Sequence, residues 1–132
     1  MTSIIVPCGG KSSRFPNMRP KWMLTQPNGN LMVVDALLGL KDFINGSALY
    51  ITILREHEER YSIVEGLKTN LRQNGIDVEP IVTMLEVQTK SQSETVYETI
   101  KRNNIVGSIY IKDSDNYFEL AEETMEESYN YI

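Results

Sequence analysis

Gly9-Gly10-Lys11-Ser12-Ser13-Arg14-Phe15 packs glycines, hydroxyls and cations together directly after the apolar run Ser3–Pro7. Glycines let main-chain N–H groups approach phosphate oxygens closely, and Ser12 and Ser13 add further donors. Arg14 can fork onto a phosphate, and Lys21 can set a point charge on a departing diphosphate. The bland alternative is a tight, solvated turn, and Gly-Gly-Lys-Ser by itself favours it. Two common phosphate loops fail on spacing. A Walker A loop needs a glycine where Ile5 stands, and a dinucleotide fingerprint opens a helix, whereas Pro16 and Pro20 follow here.

A second constellation is Asp113-Ser114-Asp115. Paired carboxylates supply hard oxygen ligands, which suit Mg²⁺ or Mn²⁺ rather than zinc. Alone, such a pair in an acidic chain is most often a solvated loop. The chain has one cysteine and one histidine, so an internal disulfide and the usual Cys/His zinc sites are excluded. Cys8, at the end of an apolar run, reads as a buried structural thiol. His57, within Arg55-Glu56-His57-Glu58-Glu59, reads as solvated surface, which leaves a Ser-His-Asp triad without a base.

The elements that must position these residues alternate between strand and helix. Ser3–Pro7 reads as a buried strand and Gly9–Lys21 as a loop. Trp22-Met23-Leu24 reads as a short extended piece before a Pro27-Asn28-Gly29 turn. Leu31–Phe43 follows as a helix with Val34, Leu37, Leu38 and Phe43 facing the core, and Leu49–Leu54 as a second strand. Glu56–Asn74 shows the clearest helical spacing, through Tyr61, Val64, Leu67 and Leu71, with Gly75 suited to its C-terminal end. Asp77–Thr83 is expected as the third strand. Ser91–Asn103 is expected as a helix opened by a Ser91-x-x-Glu94 capping box. Ser108–Lys112 completes the strands, and Glu119–Ser128 reads as a last, acidic helix. Strands separated by helices imply a three-layer α/β/α domain with a mostly parallel sheet. The order 3-2-1-4 would bring the Gly9–Lys21 and Asp113–Asp115 loops side by side at its carboxyl edge.

Composition fits one such domain. The chain has 132 residues, 41% hydrophobic and 23% charged, with a net charge of −5. That charge argues against a general nucleic-acid binder. It is uneven, however: Lys11, Arg14, Arg19 and Lys21 are free of intervening acids, while the stretch from Asp113 to Glu127 has no base. No apolar run approaches the roughly 20 residues of a membrane span, and no signal peptide is evident, so a cytoplasmic protein is expected.

Taken together, Ile4-Ile5-Val6-Pro7-Cys8-Gly9-Gly10-Lys11-Ser12-Ser13-Arg14-Phe15, the later Pro20-Lys21 and Asn28-Gly29-Asn30-Leu31-Met32 resemble the signature of sugar-nucleotidyltransferases, the nucleotide-diphospho-sugar pyrophosphorylases. That signature has a small residue, Gly-Gly, a short variable stretch, an arginine and a later Pro-Lys. The resemblance implies a Rossmann-like domain of the nucleotide-diphospho-sugar transferase type. It implies that Cys8, Gly9, Gly10, Lys11, Ser12, Ser13 and Arg14 line a nucleotide. Gln88 and Ser93, within Gln88 to Glu94, fall where that family holds the base, although its Gly-Thr-Ala pattern is absent there. Asp115 matches its Mg²⁺-holding aspartate, with Asp113 an added acid.

By the same resemblance, Arg14 and Lys21 are catalytic, and a phosphate oxygen of the acceptor attacks the α-phosphorus of a nucleoside triphosphate. The acceptor is a phosphorylated sugar or alcohol, as in surface-polysaccharide precursor synthesis. Members of the family run to roughly twice this length, so residues 1–132 match only their N-terminal half and are expected to be a fragment or a shortened protein. Two alternatives stay open: a metal-dependent glycosyltransferase of the GT-A type, and a nucleotide-binding domain without turnover. The Arg14…Pro20-Lys21 segment favours the transferase that expels pyrophosphate. The base, the acceptor and association into a homo-oligomer are left open by the sequence.

Overall fold

A computed structural model describes residues 2–9 and 21–112. Four strands form one parallel sheet: β1 (Ser3–Cys8), β2 (Ala48–Leu54), β3 (Ile81–Leu85) and β4 (Ile109–Ile111), in the order β3-β2-β1-β4. This is the order expected from the sequence. The inner strands read as unbroken apolar runs because helices cover both faces. Side chains of β1 alternate between two cores, as strand geometry requires. Ile4, Val6 and Cys8 join a large cluster with Trp22, Leu37, Leu67 and Tyr110, whereas Ile5 joins Val96 and Ile105 on the opposite face.

Pro7 sits inside β1 without breaking the ladder. The Ser3 N–H donates to the Ser108 C=O, and the Lys112 N–H donates to the Ile5 C=O. Odd positions of β1 therefore bond toward β4, and β4 pairs only as far as Ile5. The donor that proline lacks is missing on the side where the neighbouring strand has ended.

Two expected helices are each divided. The helix expected over Leu31–Phe43 is α1 (Met32–Leu38) followed by α2 (Lys41–Asn45). Between them lies Gly39, a poor helix former, and the Leu40 N–H turns back to the Leu37 C=O at 3.0 Å. The helix expected over Glu56–Asn74 is α3 (Arg55–Tyr61) and α4 (Val64–Gln73). Ser62 separates them in the left-handed conformation, with φ 50°. The Glu58 carboxylate of α3 then accepts the Val64 N–H at 3.0 Å and so caps α4. At its far end α4 closes as anticipated: Gly75, with φ +84°, donates to Arg72, and Ile76 donates to Leu71. That pair of bonds is the Schellman arrangement.

Three smaller corrections apply. Trp22-Met23 lies in a 3-10 turn, Lys21–Met23, rather than an extended piece. The run is too short for periodicity to separate the two states, and burial of both Trp22 and Met23 selects the turn. β3 begins at Ile81 instead of Asp77, because Asn45 Oδ1 takes the N–H groups of Asp77 (2.8 Å) and Val78 (3.4 Å) and Pro80 has none to give. β1 and β2 each gain a residue at one end, and β4 is shorter than expected.

The helix α5 (Gln92–Asn103) starts where the sequence places it, with Ser91 Oγ accepting the Glu94 N–H at 3.2 Å. The Pro27-Asn28-Gly29 turn also forms, with Gly29 at φ +90°. It is tied to α4 by amides: Asn70 Oδ1 accepts the Leu31 N–H at 2.9 Å, and Asn30 Oδ1 accepts from both Asn70 and Asn74 at 3.0 Å. The start of α1 is thus capped by another helix rather than by its own side chains. The acidic helix expected over Glu119–Ser128 lies outside the described residues.

Candidate functional site

At the carboxyl edge of the sheet the strands deliver Cys8 and Gly9, Leu54 and Arg55, the segment from Leu85 to Ser91, and Lys112. In an open parallel sheet this edge, at the point where strand order reverses, is where ligands bind. That reversal lies between β1 and β4.

Gly9 is buried, and its C=O accepts the Thr89 N–H at 3.1 Å. A Cβ at this position would lie 3.1 Å from Leu85 Cδ1 and 3.3 Å from Thr95 Cγ2. A side chain here would press on both neighbours, which would have to give by a few tenths of an ångström. Cys8 is 4% exposed with its side chain in the large core, as a structural thiol should be. Gln88 and Ser93 are both exposed, in the loop after β3 and in the first turn of α5. The two flank the start of α5, whose first N–H groups carry the positive end of the helix dipole.

Lys21 opens the 3-10 turn that carries the buried Trp22. Gly10, Lys11, Ser12, Ser13 and Arg14 lie outside the described residues, as do Asp113 and Asp115. Their immediate anchors are described: Gly9 before the first group, and Lys112 before the second. Among the described residues no cluster of three or more His, Cys, Asp or Glu side chains could hold a metal.

Four features were missed in the sequence. Lys112 is 2% exposed, a buried lysine immediately before the two aspartates in sequence, and its side chain or main chain is engaged beyond the Ile5 bond. Arg55 and Glu86 pair across the ends of β2 and β3, and this pairing raises the Arg55 pKa further. Thr52, Thr89, Thr95 and Thr99 form a buried seam of hydroxyls under α5. His57 corrects an expectation: it is half-buried, not solvated, with its ring 6.4 Å from that of Trp22 and 6.4 Å from that of Tyr61. Neither His57 Nδ1 nor Trp22 Nε1 has a hydrogen-bond partner among the described residues. Burial lowers the His57 pKa; Glu56 opposes this and Arg60 adds to it. A buried threonine or a half-buried histidine has no periodic signature, so only the spacing of Thr95 and Thr99 on one helix face hinted at any of these.

The architecture belongs to the open parallel α/β class with the strand reversal beside β1. Within that class, the fold is similar to the crystal structure of a nucleoside-diphosphate-sugar pyrophosphorylase from Vibrio cholerae RC9. The TM-score is 0.68 at 21% identity, over 91% of this chain and 51% of that one. The chain thus spans about half the length of that protein. No protein-family model matches the chain, and no curated protein matches it in sequence. Among the described residues no helix is long and apolar enough to cross a membrane.

Proposed function

We propose that the chain is the nucleotide-binding part of a nucleotidyltransferase that transfers a nucleoside monophosphate from a triphosphate to a phosphorylated sugar or similar acceptor. The observation that carries this reading is the 3-2-1-4 sheet with Gly9 and the Gln88–Ser93 segment joined at the strand reversal. The likeness in fold to a nucleoside-diphosphate-sugar pyrophosphorylase supports it.

In the proposed reaction an acceptor phosphate oxygen bonds to the α-phosphorus as the bond to the β-phosphate bridging oxygen breaks, and pyrophosphate leaves. The attacking oxygen is already ionised, so no protein base is needed. Arg14 and Lys21 stabilise charge on the α-phosphate and on the departing pyrophosphate. The Gly9–Ser13 main chain and hydroxyls orient the phosphates, while Gln88 and Ser93 face the base.

Asp113 and Asp115 would hold Mg²⁺ or Mn²⁺, which when bound offsets the charge of the phosphate oxygens. Two observations fit that donor set. Its oxygens are hard, and Lys112, directly before it, is pinned by its N–H to Ile5 in the central strand. The reading extends to a pathway for surface-polysaccharide precursors and to a cytoplasmic setting.

Titration calorimetry with the four nucleoside triphosphates and Mg²⁺ tests the reading. One triphosphate should bind, and Lys21→Ala and Asp115→Ala should each weaken it by about tenfold or more, as expected when a charge-assisted contact is lost. If no triphosphate binds, or both variants bind like wild type, the reading fails.

A further inference from the structure

We propose that Thr89 is a positioning residue that ties the phosphate side of the site to its base side. The proposal rests on the nucleotide reading above. Thr89 is 5% exposed, yet it stands between exposed Gln88 and exposed Lys90. It is a buried post in an otherwise solvated loop.

Its main chain and side chain reach in different directions. The N–H donates to the Gly9 C=O at 3.1 Å, at the exit of β1. The hydroxyl meets the hydroxyl of Thr95 in α5. Each hydroxyl has one proton to give, and either can be the donor of this bond. The Thr95 hydroxyl also lies 3.3 Å from the Ser91 C=O. Farther along α5, the Thr99 hydroxyl donates to the Thr95 C=O at 2.8 Å and also meets the hydroxyl of Thr52 in β2. The result is two hydroxyl pairs, one fastening α5 to the loop and the other fastening it to β2. Thr89 is the member whose main chain also bonds Gly9, where the glycine loop departs.

Valine has nearly the shape of threonine and would fill the seam as well. The hydroxyl of Thr89 therefore contributes connection rather than volume. Gly9 is also packed closely by Leu85 and Thr95, which a Cβ there would meet at 3.1 and 3.3 Å. The spacing between the start of the Gly9–Lys21 loop and the Gln88–Ser93 segment is thereby set before any ligand arrives. A ligand that spans both segments gains from that fixed spacing, because less ordering remains to be done on binding. A ligand that touches only the phosphate side gains nothing from it.

Calorimetry of the full chain with the four nucleoside triphosphates, and separately with tripolyphosphate, reads this difference. Thr89→Val should weaken the best-bound nucleoside triphosphate about fivefold to tenfold, the scale of one buried hydroxyl bond, and leave tripolyphosphate within about twofold. Thr89→Ser should restore nucleotide binding. Thr95→Val, which removes the partner in the same bond, should repeat the pattern. Thr52→Val, which removes a hydroxyl from the same seam farther from Gly9, should lower the unfolding midpoint and spare the nucleotide. The strut is overturned if wild type binds a triphosphate and Thr89→Val binds it equally well, loses tripolyphosphate to the same extent, or is matched by Thr52→Val. A wild-type chain that binds no triphosphate overturns the nucleotide reading itself and the strut with it.

Discussion

His57 packs between Trp22 and Tyr61 with its Nδ1 buried, so charging the ring removes hydration that nothing among the described residues replaces. Its pKa in the folded chain is lowered from the ordinary 6.5 by burial, which outweighs the opposing carboxylate of Glu56. The unfolded chain therefore binds the proton more readily than the folded one. The stabilisation is present above the ordinary value and is lost as pH falls through it toward the lower, folded value. Thermal unfolding followed from pH 7.5 down to about pH 5 should show a falling midpoint, and His57→Phe should flatten that fall. An identical slope in the variant would show that other groups carry it. Because Trp22 follows Lys21 directly, the same packing also sets where the 3-10 turn begins.

At the scale of elements, the bends matter more than the helices. Ser62 turns the chain through a left-handed residue so that α4 can lay Val64, Leu67 and Leu71 on the sheet while α3 lies across the end of β2. Gly75 performs the matching turn at the other end, and Ile76 then buries itself beside Leu71 in the core. A Cβ on Gly75 would meet only the flexible end of Lys41, at 3.2 Å or more, so the backbone conformation governs the cost of adding one. Gly75→Ala should lower stability by about 1–2 kcal/mol, the penalty of a left-handed L-residue, measured by urea unfolding. The control Gly66→Ala, inside α4 with open space around it, should be neutral or stabilising by up to about 1 kcal/mol.

Across the whole molecule, stability is concentrated in the middle of the sheet. β1 and β2 are each paired on both sides, and the residues between Ile4 and Val6 and between Ile51 and Ile53 are buried completely. β3 closes one end of the order, with Ile81 44% exposed. Amide exchange should therefore be slowest in β1 and β2 and measurably faster at the start of β3, since local opening costs least where few apolar contacts are broken. Uniform protection across β1, β2 and β3 would contradict that gradient. The placement matters for the site, because Gly9 leaves from one of the two central strands. The loops that carry the proposed chemistry hang on a rigid base.

The sequence alone pointed to a mostly parallel sheet, because apolar runs bounded by glycine and proline mark strands. It led to 3-2-1-4 as the expected order among the few that parallel crossovers allow, which is the order observed. It also determined the start of α5 at Ser91 and the turn at Gly75, where a local residue type answers a local need. It marked Gly9 as a glycine that would let main-chain N–H groups approach phosphate. Only the tertiary structure adds the close packing of that position by Leu85 and Thr95, distant in sequence. The breaks at Gly39 and Ser62 also escaped the sequence. Helical spacing persists across a bend of one or two residues, so Tyr61, Val64, Leu67 and Leu71 look continuous when the chain is not. The threonine seam and the burial of His57 arise from contacts between elements, which no single segment encodes. The bonds from Thr89 to Gly9 and to Thr95 exist only once β1, β3 and α5 have met.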